Sequence, residues 1–278
     1  MKLSSSHRDL INAANILEGL VNGNQKIYDE NSFKNYFQNN HDIFVLVAAN
    51  QNLFDFSPND VFTISDDTIL ECIYGHKDRD YIGFRNSFFG NKFICQYEVK
   101  DKYQPLIDQI ISSNNITRTQ IENLKKENLS VGAFQTRNLP HFGHEKIIEY
   151  MLAATDHVIV NPLIGPKKSG DFQIEDYTYE LQIYLDYKYN GQVTLMPTIA
   201  NMFYAGPKEA FHHAKIRQNL GFTHFSVGRD HAGANKKYNR EAAINFVNET
   251  NKSLDIQIIA HKGAVYCAQC KSAVLIGD

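Results

Sequence analysis

From residue 131 onward the chain alternates short apolar runs with amphipathic ones, and this restricts the fold more than any other feature. The runs at 131–134, 157–160, 193–196, 223–227 and 256–260 read as short strands, the first of them small or apolar throughout as a buried strand is. Between them, 174–187, 207–220 and 240–249 carry helical spacing. Strands alternating with helices predict an α/β domain with a Rossmann-like parallel sheet, whose ligands collect beyond the carboxyl ends of the strands.

Every polar motif of this half falls at such an end. The first strand runs into Gln135-Thr136-Arg137-Asn138-Leu139-Pro140 and then His141-Phe142-Gly143-His144. Ile147, Ile148, Met151 and Leu152 continue as one apolar side, so a helix starts near Pro140, where a missing N–H costs nothing. His141 and His144, three residues apart, share a face of its first turn. A helix N-terminus with two imidazoles is a seat for phosphate. Gly143 is expected to let a bulky anion approach the backbone. Arg137 is placed to grip a tetrahedral oxyanion with its planar fork, and Gln135 adds a neutral donor. None of these is a nucleophile, which suits group transfer between two bound reactants by positioning and charge stabilisation.

The fourth strand ends in Gly228-Arg229-Asp230-His231-Ala232-Gly233, a second candidate phosphate grip. In it Arg229 faces phosphate, Asp230 orients a neighbour and His231 donates to an oxygen; the competing reading is a turn closed by an internal Arg229–Asp230 pair. Tyr204-Ala205-Gly206-Pro207 makes a tight helix entry after the third strand, and 161–171 is a Gly/Pro-punctuated loop whose Lys167 and Lys168 read as solvated. Cys267 and Cys270 have knuckle spacing but supply two of the four ligands that a structural zinc takes, so zinc is not expected there.

The first half reads differently. Residues 10–20 and 33–37 carry helical stripes, while 43–48, 61–64, 69–74 and 93–99 are β-rich runs between polar turns. A small, mostly β N-terminal domain is expected over 42–99. Residues 106–124 lead as helix and connector to a boundary near Ser130, giving domains 1–129 and 130–278. The net charge of −3 gives no basic field for nucleic acid, and no apolar run is long enough to span a bilayer. The start of the chain lacks the apolar core of a signal peptide, and four cysteines in 278 residues are too few for a disulfide scaffold. A cytoplasmic enzyme is the expectation.

Taken together, QTRNLPHFGHE (135–145), NPLIGPKKSGD (161–171), MFYAGPKE (202–209) and GRDHAG (228–233) resemble the motifs of the ATP sulfurylase family, among the HxGH nucleotidylyltransferases. Order and spacing agree across about half the chain. The resemblance implies adenylyl transfer from ATP to sulfate with magnesium, and a PUA-like β domain before the catalytic one. By carry-over, Gln135 and Arg137 hold sulfate, Thr136 and Asn138 support the oxyanion and the α-phosphate, and His141 and His144 contact the ATP phosphates. Arg229 meets the β-phosphate region and Ala232 offers a backbone N–H. The tail AVYCAQC (264–270) is similar to a segment that opens a zinc-binding cluster in many members.

The chain departs from the pattern at Leu139, for proline; Asn161, for histidine; Phe203, for arginine; and Lys208, for arginine. Phe203 would open room for a larger, less charged acceptor. Two alternatives use the same motifs: transfer of AMP or CMP to another oxyanion (a phosphonate, phosphate ester or sugar phosphate), and an inactive nucleotide-binding homologue. The expected partners are ATP and a small oxyanion, without nucleic acid or membrane; a homo-oligomer is compatible with this.

Overall fold

The computed structural model describes residues 3–23, 27–88, 92–138, 141–170 and 177–277. The expected helix start at Pro140, the Leu139 departure, Asp171 and the Ile174 start of the expected second helix lie outside them.

In chain order the first half contains helices α1 (Arg8–Leu17) and α2 (Glu30–Asn39), strands β1 (Phe54–Asp55) and β2 (Val61–Phe62), and α3 (Asp66–Ile69). Helix α4 (Ile82–Ser87), strands β3 (Phe93–Ile94) and β4 (Glu98–Val99), and the long α5 (Gln104–Lys126) follow. The β-rich runs expected here shrink to two short antiparallel pairs, β1 with β4 and β2 with β3. The run 69–74 is helical: α3 continues into a π-turn over Leu70–Tyr74 that stops at Gly75, whose φ of 70° closes the end. Its apolar residues look β-like in sequence, yet Ser65 caps the helix by accepting the Thr68 N–H, and tertiary burial of Ile69, Leu70, Ile73 and Tyr74 outweighs propensity.

The second half realises the alternation. Strand β5 (Val131–Phe134), α6 (Phe142–Leu152), β6 (His157–Val160), β7 (Leu163–Ile164), α7 (Thr178–Tyr189), β8 (Val193–Leu195) and β9 (Thr198–Ile199) come first. Helix α8 (Pro207–Leu220), β10 (His224–Gly228), α9 (Ala242–Thr250), β11 (Gln257–His261) and the hairpin β12 (Ala264–Cys267) with β13 (Ser272–Leu275) complete it. Strands β5, β6, β8, β10 and β11 form a five-stranded sheet in the order β11-β10-β5-β6-β8. Every pairing in it is parallel. The chain thus leaves β5 toward β6 and β8, then crosses back to β10 on the other side. Beyond the carboxyl ends of β5 and β10, where the direction reverses, a crevice opens.

The strands alternate their faces with period two. Val131, Ala133, Ile159 and Phe225 pack with α8 residues Ala210, Phe211 and Ala214 in one core. Phe134, Val158 and Val160 pack with Ile147 and Met151 of α6 and Leu181 and Leu185 of α7 in another. The first core also holds Phe33, Phe62, Tyr74, Phe84, Phe88 and Phe93, so the N-terminal elements cover the α8 layer from outside. Polar ties reinforce the cover. The buried Arg8 guanidinium donates to the carbonyls of Met202 (3.2 Å) and Pro166 (3.3 Å). Asn201 Nδ2 donates to the Arg8 carbonyl, and Asn114 donates to Asn15 Oδ1 and accepts the Ile199 N–H. These bonds fix the loops that follow β7 and β9. None of the described helices is long and apolar enough to cross a membrane.

Candidate active site

The crevice between β5 and β10 gathers Gln135 to Asn138 and His144 of the first motif and Gly228 to Ala232 of the last, while His141 and Gly143 line neither of its cavities and border a neighbouring one with Phe142 and Glu145. A cavity of about 180 Å³ is lined by Gln135, Thr136, Arg137, Asn138 and His144 from one side and by Gly228 through Ala232 from the other, with Ser226 and His261 at its floor. It adjoins a second cavity of about 510 Å³, walled by Gly206, Pro207 and residues 233–240. Arg137, Asp230 and His231 line both, so the two are one cleft with a narrow and a wide end.

The loop after β5 is held locally. Thr136 Oγ donates to the Asn138 carbonyl at 3.0 Å and accepts the Asn138 N–H at 3.1 Å. That closed turn carries Arg137 over the Tyr204 ring, 5.8 Å from its centroid. Gln135 Oε1 is buried without a hydrogen-bond partner among the described residues. Leaving an amide end unpaired costs stability unless a ligand or water completes it.

At the start of α6, His141 is the N-cap: its Nδ1 accepts the Gly143 N–H at 3.1 Å. With Nδ1 accepting, the neutral ring carries its proton on Nε2 and can donate from there. The His144 ring stacks on it, centroids 3.8 Å apart, so both imidazoles share a face. Gly143 serves this pair. A Cβ on it would lie 3.0 Å from two atoms of the His141 ring, so the space expected for an anion is filled by imidazole.

The loop after β10 takes left-handed backbone at Asp230 (φ 55°) and Ala232 (φ 51°). Asp230 pairs with Arg240, Nε to Oδ2 4.0 Å, and its N–H donates to the Arg240 carbonyl at 2.9 Å, so its ion pair is with Arg240 and not with Arg229. Behind the loop His231 Nε2 lies 3.0 Å from His213 Nδ1 on α8. His213 Nε2 in turn lies 3.2 Å from Glu209 Oε1. Burial drives both histidines well below the usual imidazole range and lifts Glu209. The Glu209 carboxylate accepts the N–H groups of Phe203 (2.8 Å) and Ala205 (2.7 Å), which anchors the YAGP turn. Neither Glu209 nor His213 was singled out from the sequence. Their i, i+4 spacing on α8 is the signal that marks them.

His261, at the end of β11, belongs to this floor. Its Nδ1 accepts the Gly263 N–H at 3.2 Å and its Nε2 sits 3.0 Å from Ser226 Oγ. Burial pushes its pKa down to about 4. Gly228 is small on its account: a Cβ there would be 2.8 Å from His261 Cε1. Gly206 likewise admits the Tyr238 ring, 2.4 Å from where its Cβ would stand.

Other sequence expectations resolve differently. Phe203 is buried and stacked on Phe88, ring centroids 5.6 Å apart and planes 11° apart. It lines neither cavity of the cleft, so its replacement of arginine opens no acceptor space. Asn161 is wholly buried, donating to Thr198 Oγ at 3.0 Å while its carbonyl accepts from Arg217 at 2.8 Å. Lys167 and Lys168 are half-buried, and the Lys168 backbone N–H donates to Tyr204 Oη at 2.9 Å. Cys267 and Cys270 flank the turn of the β12–β13 hairpin, where the Cys270 N–H donates to Cys267 Sγ at 3.4 Å and helps to lower the Cys267 pKa. Among the described residues no group of three or more His, Cys, Asp or Glu is placed to hold a metal ion.

A parallel sheet with a switch point, and arginine and imidazole side chains in the cleft beyond it, defines an α/β protein of the Rossmann-like class, in which ligands are seated at the strand ends. The sequence model of the family described as ATP-sulfurylase matches residues 108–276, and the chain belongs to that family. It is 31% identical over 221 residues to a sulfate adenylyltransferase of Pyrococcus abyssi (strain GE5 / Orsay), covering 77% of this chain and 57% of that protein. It is 42% identical over 146 residues to the sulfate adenylyltransferase of Aeropyrum pernix, covering 52% of this chain and 38% of the relative. That of Persephonella marina is 35% identical over 186 residues, covering 66% and 48%. The chain thus spans between 38% and 57% of the length of these relatives. Among solved structures, one titled hexameric APS kinase from Thiobacillus denitrificans superposes with a TM-score of 0.58 at 10% identity, over 99% of this chain and 53% of that one. This likeness supports the fold alone.

Proposed function

We propose that this chain is a sulfate adenylyltransferase, converting ATP and sulfate to adenylyl sulfate and pyrophosphate. A sulfate oxygen forms a bond to the α-phosphorus. The bond from that phosphorus to the α–β bridging oxygen breaks, and the oxygen leaves with pyrophosphate. The observation that carries the reading is the meeting of Arg137, Arg229 and His231 with Gln135 and Asn138 in one cleft at the β5/β10 switch point.

In this reading Gln135 and Arg137 hold sulfate, and Ala232 adds a backbone N–H. Thr136 keeps the 136–138 turn closed, so that Arg137 and Asn138 meet the oxyanion and the α-phosphate without reorganising. His141 donates from Nε2 to the triphosphate beside His144. Arg229 faces the β-phosphate, while Gly228, Asp230 and His231 shape the nucleotide seat. Asp230 is the carboxylate that lines the cleft among the described residues, and it is already paired with Arg240. That donor set fits magnesium that arrives on the triphosphate with its waters, and not an ion caged by protein. When bound, magnesium would neutralise charge on the leaving pyrophosphate.

The functional division falls at 129/130. The motifs lie in 130–278, and 1–129 is a reduced N-terminal part whose two antiparallel strand pairs support a PUA-like origin. Four free thiols support a reducing, cytoplasmic setting. The partners are ATP and a small oxyanion, without nucleic acid or membrane, and self-association is compatible with this. The test is pyrophosphate release by purified protein with magnesium and ATP or CTP across sulfate, phosphonates, phosphate esters and sugar phosphates. Release with ATP and sulfate is expected. Release only with another acceptor, or with none, overturns the reading.

A further inference from the structure

We propose that Tyr81, from the N-terminal part of the chain and outside every recognised motif, is a positioning residue for the oxyanion grip. The inference rests on the sulfate reading of the cleft and adds to it a residue that touches no reactant.

Tyr81 is buried, and its hydroxyl closes two bonds at once. It donates to the Tyr204 carbonyl at 2.5 Å and accepts the Ala234 N–H at 3.2 Å. Those two backbone groups belong to the two loops that face each other across the wide end of the cleft. Tyr204 is in turn a hub. Its ring lies under the Arg137 guanidinium, and its hydroxyl accepts the Lys168 N–H at 2.9 Å. One phenol therefore joins the GRDHAG loop to the YAGP turn. Through Tyr204 it reaches the loop after β7 and the arginine of the QTRN loop.

Tyr204 needs this support, because its backbone is left-handed with φ of 60°, a conformation that costs a bulky residue energy unless its surroundings over-determine it. The surroundings are built for the purpose. Tyr74 Oη donates to the Phe203 carbonyl at 3.1 Å. Gly83 on α4 packs so closely that a Cβ would stand 2.2 Å from that same carbonyl. The Tyr81 ring is itself clamped edge-on by Tyr74 and His76, with centroids 5.4 Å and 4.8 Å away. Burial pushes the phenol pKa up to about 12, so the hydroxyl keeps its proton, and hence its donor, across the working pH range.

Removing only the oxygen leaves the ring packed and strands two buried backbone groups. The Tyr204 turn then relaxes, and with it the seat of Arg137. We therefore expect Tyr81→Phe to raise the sulfate KM about tenfold, with the ATP KM within about twofold, the loss of buried neutral hydrogen bonds that hold the seat being worth roughly that factor. The experiment measures steady-state pyrophosphate release, sulfate Kd by calorimetry, and Tm, for wild type and Tyr81→Phe. A purely structural role would lower Tm and leave both sulfate constants unchanged, and that outcome overturns the inference. If wild type binds sulfate without turnover and the variant binds it less well, the positioning role stands and the adenylyl-transfer reading falls. If wild type turns over and the variant keeps its sulfate KM and Kd, the reverse holds. Wild type that neither binds nor turns over sulfate sinks both. Should Tyr81→Phe not fold, 3,5-difluorotyrosine at position 81 keeps shape and donor while altering their strength; an unchanged sulfate KM there overturns the proposal, and a changed one supports it.

Discussion

His213 Nδ1 lies 3.0 Å from His231 Nε2, which joins a helix buried behind the sheet to the wall of the cleft. His213 also approaches Glu209, whose carboxylate anchors the YAGP turn, so the three form a buried polar chain across α8. Replacing His213 with Leu removes one side of both contacts. The variant should lose about 1–3 kcal/mol of stability, because buried polar groups are left unpaired. It should also bind ATP more weakly as His231 loses its partner. Urea unfolding and nucleotide titration measure the two effects; unchanged values in both would show that the chain is not coupled to the cleft.

His261 makes stability depend on pH. Burial holds its folded pKa at about 4, below its value in an unfolded chain. Between those values the unfolded state binds more protons, so stability is full above about 6.5 and is lost as pH falls toward 4. Between pH 7 and pH 5 the loss from this group should be on the order of 1–2 kcal/mol. His213 and His231 act in the same direction, and Glu209, whose pKa is raised, acts in the opposite one. The contribution of His261 is isolated by comparing wild type with His261→Gln in urea at both pH values. The variant should show a shallower decline, and an equal decline would remove His261 from the account.

Phe203 tests the sense of a family departure. Restoring the arginine expected at that position would place a guanidinium in a fully packed site against Phe88. Phe203→Arg should therefore cost about 3–5 kcal/mol through an unpaired buried charge. It should not improve the sulfate KM. A stable variant with better sulfate kinetics would mean that the side chain turns into the cleft.

What could be read from the sequence follows from range. The five central strands fall within a residue or so of the expected runs, because each is a short run bounded by polar turns, and β5 and β6 at the centre are buried at every position. Helix α8 was equally legible from Pro207 at its start and Gly221 just beyond its end. The N-terminal runs were not. Residues 69–74 carry apolar, β-branched side chains that suit a strand, and only their packing against the α8 layer makes them helical. The cleft was half legible. Gln135 to His144 and Gly228 to Ala232 stand out because polar groups crowd a strand end. Tyr81, Glu209, His213 and His261 do not stand out, since each gains its meaning from a contact made across the fold. Phe203 shows the converse error: position in a motif suggested the cleft, while its side chain points into the core.

The last prediction separates the two tasks of His141. As N-cap it accepts the Gly143 N–H through Nδ1, and as a candidate phosphate donor it offers Nε2–H. Asparagine can replace the first function, because its short amide is a favoured cap, but it reaches less far toward a ligand than the far side of an imidazole. His141→Asn should thus hold stability within about 0.5 kcal/mol of wild type. His141→Ala should lose about 1 kcal/mol as the cap goes. Both should lower kcat/KM, the alanine variant by on the order of 2–4 kcal/mol of transition-state stabilisation and the asparagine variant by less. Because the His144 ring stacks directly on His141, the double alanine variant should lose less activity than the two single losses multiplied together. The measurement is a double-mutant cycle in kcat/KM alongside chemical unfolding of each variant. If His141→Ala is destabilised yet keeps full activity, His141 is a cap and nothing more. If both singles lose activity and the losses multiply in the double, the two imidazoles act on different groups and the shared phosphate seat is wrong.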